Sequence, residues 1–163
     1  MLLSIPDLVF TFSCILVRDG LHVKAANIML GKPTRLSSTY SAPYQSGYAN
    51  DGNRTGESAI SPYQLHPYWQ GDLQGFYTVH NITVTIYSIL RCRYAYIGVS
   101  SVDVDCPNDD VTLCGQWPAD AVGRITLTFN CSHEQPVRFV RVWKNITDYL
   151  SIQEVEVEGH SQK

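Results

Sequence analysis

No stretch of this 163-residue chain is apolar for long enough to cross a bilayer as a helix. The longest candidate, residues 8–17, falls well short of the required length. Clustered basic charge is missing too. Twelve Lys and Arg are scattered against fifteen Asp and Glu, leaving a net charge of −3 and no basic face for a nucleic acid. No segment carries a long helical apolar period. There is no Gly-x-Ser-x-Gly, no paired-histidine metal motif and no phosphate loop, so the chain is not expected to be an enzyme. No C-x-x-C pair occurs, which excludes the common cysteine-built zinc site.

What is present points to strands. Ten Tyr, eleven Gly and eight Pro, with many Thr and Val, favour short strands joined by turns. Ile82-Thr83-Val84-Thr85-Ile86 and Ile125-Thr126-Leu127-Thr128-Phe129 alternate apolar and polar side chains, as half-buried antiparallel strands do. Phe139-Val140-Arg141-Val142-Trp143 reads as a central strand, and glycines and prolines across residues 98–123 indicate loops between short strands. Trp69 reads as core and Asp72 as a structural hydrogen-bonding group, while Tyr44, Tyr48 and Tyr63 fall in predicted loops. The chain has no linker and no internal repeat. Its length suits a single domain with a real core, and the fold class is all-β, a β-sandwich jelly roll of about eight strands.

Two distant stretches look like halves of one metal site. Tyr48-Ala49-Asn50-Asp51-Gly52-Asn53-Arg54 is rich in oxygen donors around a turn glycine. Near the other end, Val155 and Val157 share one strand face while Glu154, Glu156 and Glu158 share the other. Ile152 is out of phase with the valines, so a one-residue slip is expected at Gln153, swinging a carbonyl and the Glu154 carboxylate outward. Only oxygen ligands are on offer. That excludes zinc and copper at this place and favours calcium over magnesium.

The amino-terminal part differs from the rest. Residues 1–25 read as a secretory signal peptide, with small residues at Ala25 and Ala26 marking a cleavage point, and residues 26–160 as the mature domain. Four N-x-Ser/Thr triplets agree with export. Asn81 and Asn145 are the expected glycosylation sites. Asn53 is set aside because a metal loop would bury it, and Asn130 because it adjoins a cysteine. Outside the leader stand Cys92, Cys106, Cys114 and Cys131, an even number that allows three disulfide pairings. The expected compartment is extracellular.

Asn27-Ile28-Met29-Leu30-Gly31-Lys32-Pro33-Thr34 with Ser37-Ser38-Thr39-Tyr40, then Asp51-Gly52-Asn53-Arg54, Pro67-Tyr68-Trp69-Gln70-Gly71-Asp72-Leu73 and Glu154-Val155-Glu156-Val157, in this order, resemble the F-type lectin (fucolectin) domain family. The resemblance covers roughly residues 26 to 159. It implies a discoidin-like galactose-binding jelly roll that holds fucose in loops at one end, beside a structural calcium. The calcium ligands it implies are the Asp51 and Glu154 side chains and the carbonyls of Tyr48, Asn53 and Gln153, with Ser58 or Ser61 as a further donor. It implies a Cys114–Cys131 disulfide, which leaves Cys92 and Cys106 as the second pair.

The sugar site departs from the family pattern. The usual Cys-x-His is absent, and the place of the first arginine falls near Tyr87. His66, Arg91 and Arg93 are the residues of the right type for a sugar, because charged donors suit ring hydroxyls. The expected partners are fucosylated or related glycans, with no nucleic acid and no transmembrane helix, and self-association into a homo-oligomer stays open. The competing expectation is a structural or adhesion module of the same fold that has lost sugar binding and contacts protein or membrane.

Overall fold

The computed structural model describes residues 26–104, 110–120, 125–131, 133 and 135–162. The expected leader, residues 1–25, and Cys106 lie outside the described residues. Among the described residues nine strands run in chain order: β1 Thr34–Leu36, β2 Ala59–Leu65, β3 Tyr68–Ile86, β4 Tyr96–Ser100, β5 Thr112–Gln116, β6 Ile125–Asn130, β7 Val137–Trp143, β8 Thr147–Ile152 and β9 Glu154–Ser161. Two short 3₁₀ turns, Ser46–Asn50 and Ile89–Arg91, complete the regular structure. The fold is all-β, as expected. Among the described residues no helix is long and apolar enough to cross a membrane.

β3 organises the molecule. Its first half pairs antiparallel with β1 and β7, and its second half with β6 and β9. The exchange happens across a register shift between Asp72 and Tyr77, where Gln74 takes a φ of 62°. Gln74-Gly75 reads locally as a turn, yet the 19-residue strand continues through it because new partners take up its backbone groups. β4 and β5 extend the β7 side, and β2 with β8 forms a separate two-stranded sheet.

The apolar alternation of the strands places the core between these sheets. Trp69, Leu73, Ile82, Val84 and Ile86 of β3 meet Ile97, Val99, Val140, Val142, Leu150, Val155 and Val157 there, all fully buried. Trp69 also donates its indole N–H to the Ser46 carbonyl at 3.0 Å, as a buried indole must find an acceptor. Gly71 is required by a close approach, since a Cβ at that position would stand 2.5 Å from the Met29 sulfur. β7 is central, as predicted, but both its faces are covered. Arg141 is buried, its guanidinium 4.0 Å from the centre of the Tyr68 ring and donating to the Gln70 side chain and the Val104 carbonyl.

One local expectation needs correction. Tyr63 lies on β2 rather than in a loop, because pairing with β8 passes across a bulge between Ser61 and Gln64. Cys92 is a free, fully buried thiol, and its expected partner Cys106 lies outside the described residues. Burial pushes the Cys92 thiol up to about 12, against a weaker pull from Lys144, which makes it inert at neutral pH. The Cys114–Cys131 disulfide is present, tying β5 to the end of β6.

Candidate functional site

The loop and the strand expected to meet do meet. The slip falls at Gln153, between β8 and β9, where the Gln153 N–H donates to the Thr85 carbonyl at 2.9 Å. Ile152 and Val155 can then both face the core, and Glu154 turns toward the loop. Both Glu154 carboxylate oxygens accept from the Gly52 N–H, at 3.3 and 3.2 Å. Gly52 has a φ of 84°, the left-handed conformation that presents its N–H to the strand. Asp51 Oδ1 accepts from the Asn53 N–H at 2.8 Å and holds the turn.

Glu154 is only 1% exposed. Burial pushes its carboxyl up to about 7; the Gly52 N–H opposes this, and the charge of neighbouring Asp51 adds to it. Two acids crowded together, one of them out of water, form a donor set that a cation would relieve. Arg54 does not serve as that cation, because it pairs with Glu156. The oxygen-only chemistry therefore fits a hard divalent ion. Asn53 is exposed, contrary to the burial expected of it, and its side chain accepts from Thr55. Of the two candidate serines, Ser61 is buried on β2 against Ser37, whereas Ser58 faces a cleft.

That cleft, about 550 Å³, opens next to the loop. Thr55, Gly56, Glu57 and Ser58 form one wall, Tyr87, Ser88, Leu90 and Arg91 the other, with Tyr44, Ile60, Ser151 and Gln153 between them. Gln153 joins the two features. Its side chain donates to the Gly56 carbonyl at 3.1 Å, while its Oε1 is buried without a protein partner. The Arg91 guanidinium sits 5.3 Å from the centre of the Tyr149 ring.

Of the three residues expected to hold a sugar, Arg91 alone lines this cleft. His66 sits in the turn from β2 to β3, with φ 52° and its N–H donating to the Ile146 carbonyl at 3.3 Å. Six strand steps separate it from Ile60, roughly 20 Å at the usual rise per residue. Arg93 is half-buried beyond the second 3₁₀ turn and is not among the lining residues. Sequence reasoning missed Glu57, Thr55, Ser151 and Tyr87 as lining groups. Only Tyr87 left a signal, standing where the family's first arginine was sought. The expected glycan sites differ in setting: Asn145 is exposed in the β7–β8 turn, whereas Asn81 is half-buried on β3 and donates to Glu158 at 3.1 Å.

No family model matches the chain. It is similar to Fucolectin-5 of Anguilla japonica, with 31% identity over 123 residues. That match covers 69% of this chain, and the chain spans 63% of the length of that relative. In fold it is similar to a fucolectin from Morone saxatilis serum, with a TM-score of 0.73 and 24% identity, over 84% of this chain and 50% of that one. A fucose binding module of Streptococcus pneumoniae follows at a TM-score of 0.62 and 23% identity, over 85% and 99% of the two chains. The relatives are named as lectins or binding modules rather than enzymes, in agreement with the expectation for this chain. Taken with the ordered blocks of sequence and the jelly-roll strands that carry them, these likenesses support a divergent F-type lectin (fucolectin) domain in this chain.

Proposed function

We propose that this chain is a secreted, calcium-stabilised carbohydrate-binding module of the fucose type, with a remodelled sugar site. The observation that carries the reading is the cleft at the loop end, which shares Gln153 with the acid-lined clasp. Arg91 supplies a charged donor for ring hydroxyls, Glu57 and the serines supply acceptors, and Tyr44, Ile60 and Leu90 supply apolar surface for a sugar's methyl group or ring face. With one arginine where the family pattern has two, and Tyr87 near the other's place, the preference among glycans is altered.

Calcium is the second part of the reading. Asp51 and Glu154 would hold the ion by their carboxylates, with carbonyls of Tyr48, Asn53 and Gln153. When bound, the ion supplies charge compensation for two crowded acids, and no chemistry. The chain's own contribution is the Gly52 turn and the slip at Gln153, which aim both acids at one place. Secretion is supported by the Cys114–Cys131 disulfide and the exposed Asn145 sequon.

A glycan array probed with and without chelator tests the proposal. Binding to fucosylated glycans that weakens in chelator is the expected result. Binding to protein or lipid surfaces with no response to any sugar would overturn it in favour of an adhesion module.

A further inference from the structure

Away from the clasp and the cleft, two histidines 80 residues apart meet on the outer face of the long sheet. His80 lies on β3 at the register shift between Val79 and Asn81, and His160 lies on β9 opposite Thr78. His80 Nε2 and His160 Nδ1 are 3.1 Å apart, with ring centres at 5.1 Å, and both residues are exposed. We propose that His80 and His160 form a binding site for a borderline divalent transition metal, with zinc the first candidate.

The spacing suits such an ion. At a metal–nitrogen distance of about 2.05 Å, nitrogens 3.1 Å apart subtend about 98° at a shared metal, between the angles of square-planar and tetrahedral sites. Imidazole nitrogen suits zinc, copper and nickel, whereas calcium takes oxygen, so this site and the clasp select different ions. They are also well separated, since the six strand steps of β9 from Glu154 to His160 span roughly 20 Å.

The backbone that carries both imidazoles is fixed before any ion arrives. The His80 carbonyl accepts from the N–H of disulfide-bonded Cys131 at 2.7 Å, which fixes the bulged strand from its other side. β9 stays paired past His160, as the Gln162 N–H donates to the Phe76 carbonyl at 3.0 Å. Glu158, two residues along the same face, accepts from Asn81 at 3.1 Å, so the site offers two nitrogens and leaves the remaining positions to water. Without metal, Nε2 of His80 and Nδ1 of His160 face each other across a hydrogen bond whose donor is set by the tautomers. In the metal-bound form both lone pairs face the ion, so His80 carries its hydrogen on Nδ1 and His160 on Nε2.

The test is a zinc titration of the full chain, free of any histidine tag, with calcium present to fill the clasp. One zinc per chain is expected. His80→Asn and His160→Asn should each weaken it at least about tenfold, because one imidazole is then left, while His133→Asn, whose ring nitrogen faces the Gln135 backbone, leaves it unchanged. Copper electron paramagnetic resonance on the wild type supplies a reading that needs no variant: superhyperfine coupling to two equivalent-type nitrogens is expected. Absence of zinc uptake, uptake by both variants equal to that of the wild type, or coupling to a single nitrogen would each overturn the proposal.

Discussion

The clasp and the cleft lie side by side and share Gln153, yet they differ in how they are built. The acids of the clasp sit next to strand-register features, a turn glycine on one side and a one-residue slip on the other. The register of β9 on β3 pairs Glu154 with Thr85, and this leaves little freedom in where the carboxylate goes. The cleft is assembled from three loops, and residue types suited to sugars are scattered in sequence around them. Arg91 reaches it, while His66, in the turn that follows the β2 strand bordering it, is carried to the far end. Side chains placed by backbone hydrogen bonding can be read from a pattern; side chains placed by loop course cannot.

The largest effect should come from a bond that lies outside both sites. Replacing Cys114 and Cys131 by serine opens a closure of 17 residues and should cost about 3 kcal/mol in urea unfolding. Because the bond ties β5 to the end of β6 and neither cysteine lines the cleft, sugar affinity measured on the folded variant should hold. A parallel loss of affinity would show that the cleft depends on the whole sheet.

Next comes the clasp itself. Saturating calcium should raise the melting temperature, contributing about 2.7 kcal/mol at a hundredfold excess over its dissociation constant. Glu154→Gln should abolish that gain and leave the chelated protein little changed. A wild-type melting temperature unmoved by chelator would remove the clasp from the proposal.

The cleft is expected to respond to single residues more weakly. Arg91→Ala should reduce affinity for a fucosylated glycan by about thirtyfold, the effect of losing one charged donor worth about 2 kcal/mol. Arg93→Ala and His66→Ala should leave it within about twofold, since changes outside a contact surface are usually worth under about 0.5 kcal/mol. Equal losses in all three would restore the pocket first expected from the sequence.

The smallest effect concerns a partly solvated ion pair between β3 and β7. Arg138 donates to both Asp72 oxygens at 2.8 Å and holds the Asp72 carboxyl below its ordinary value of 3.8. A carboxylate lowered in the folded state contributes stability above its unfolded pKa, and that contribution fades as pH falls through the lowered value. Asp72→Asn should therefore flatten the acid limb of a stability–pH curve below about pH 4, with little change at neutral pH because the pair is partly solvated. An unchanged acid limb would show that this pair contributes nothing.

Much of the architecture was legible in residue order alone. Period-two alternation at residues 82–86 and 125–129 marked strands that exist, because one face of each must meet the core. The phase break at Ile152 located the slip, and glycine at position 52 located the turn. Those features are local, and local sterics enforce them wherever the chain goes. Tertiary structure decided the rest. It ran β3 through Gln74 by exchanging neighbours, buried Cys92 as a free thiol, and moved His66 out of reach of the cleft. It also brought His80 against His160, a contact between residues with no shared local pattern. Each of these outcomes depends on which strand lies beside which, and pairing at long range is set by the packing of the whole core.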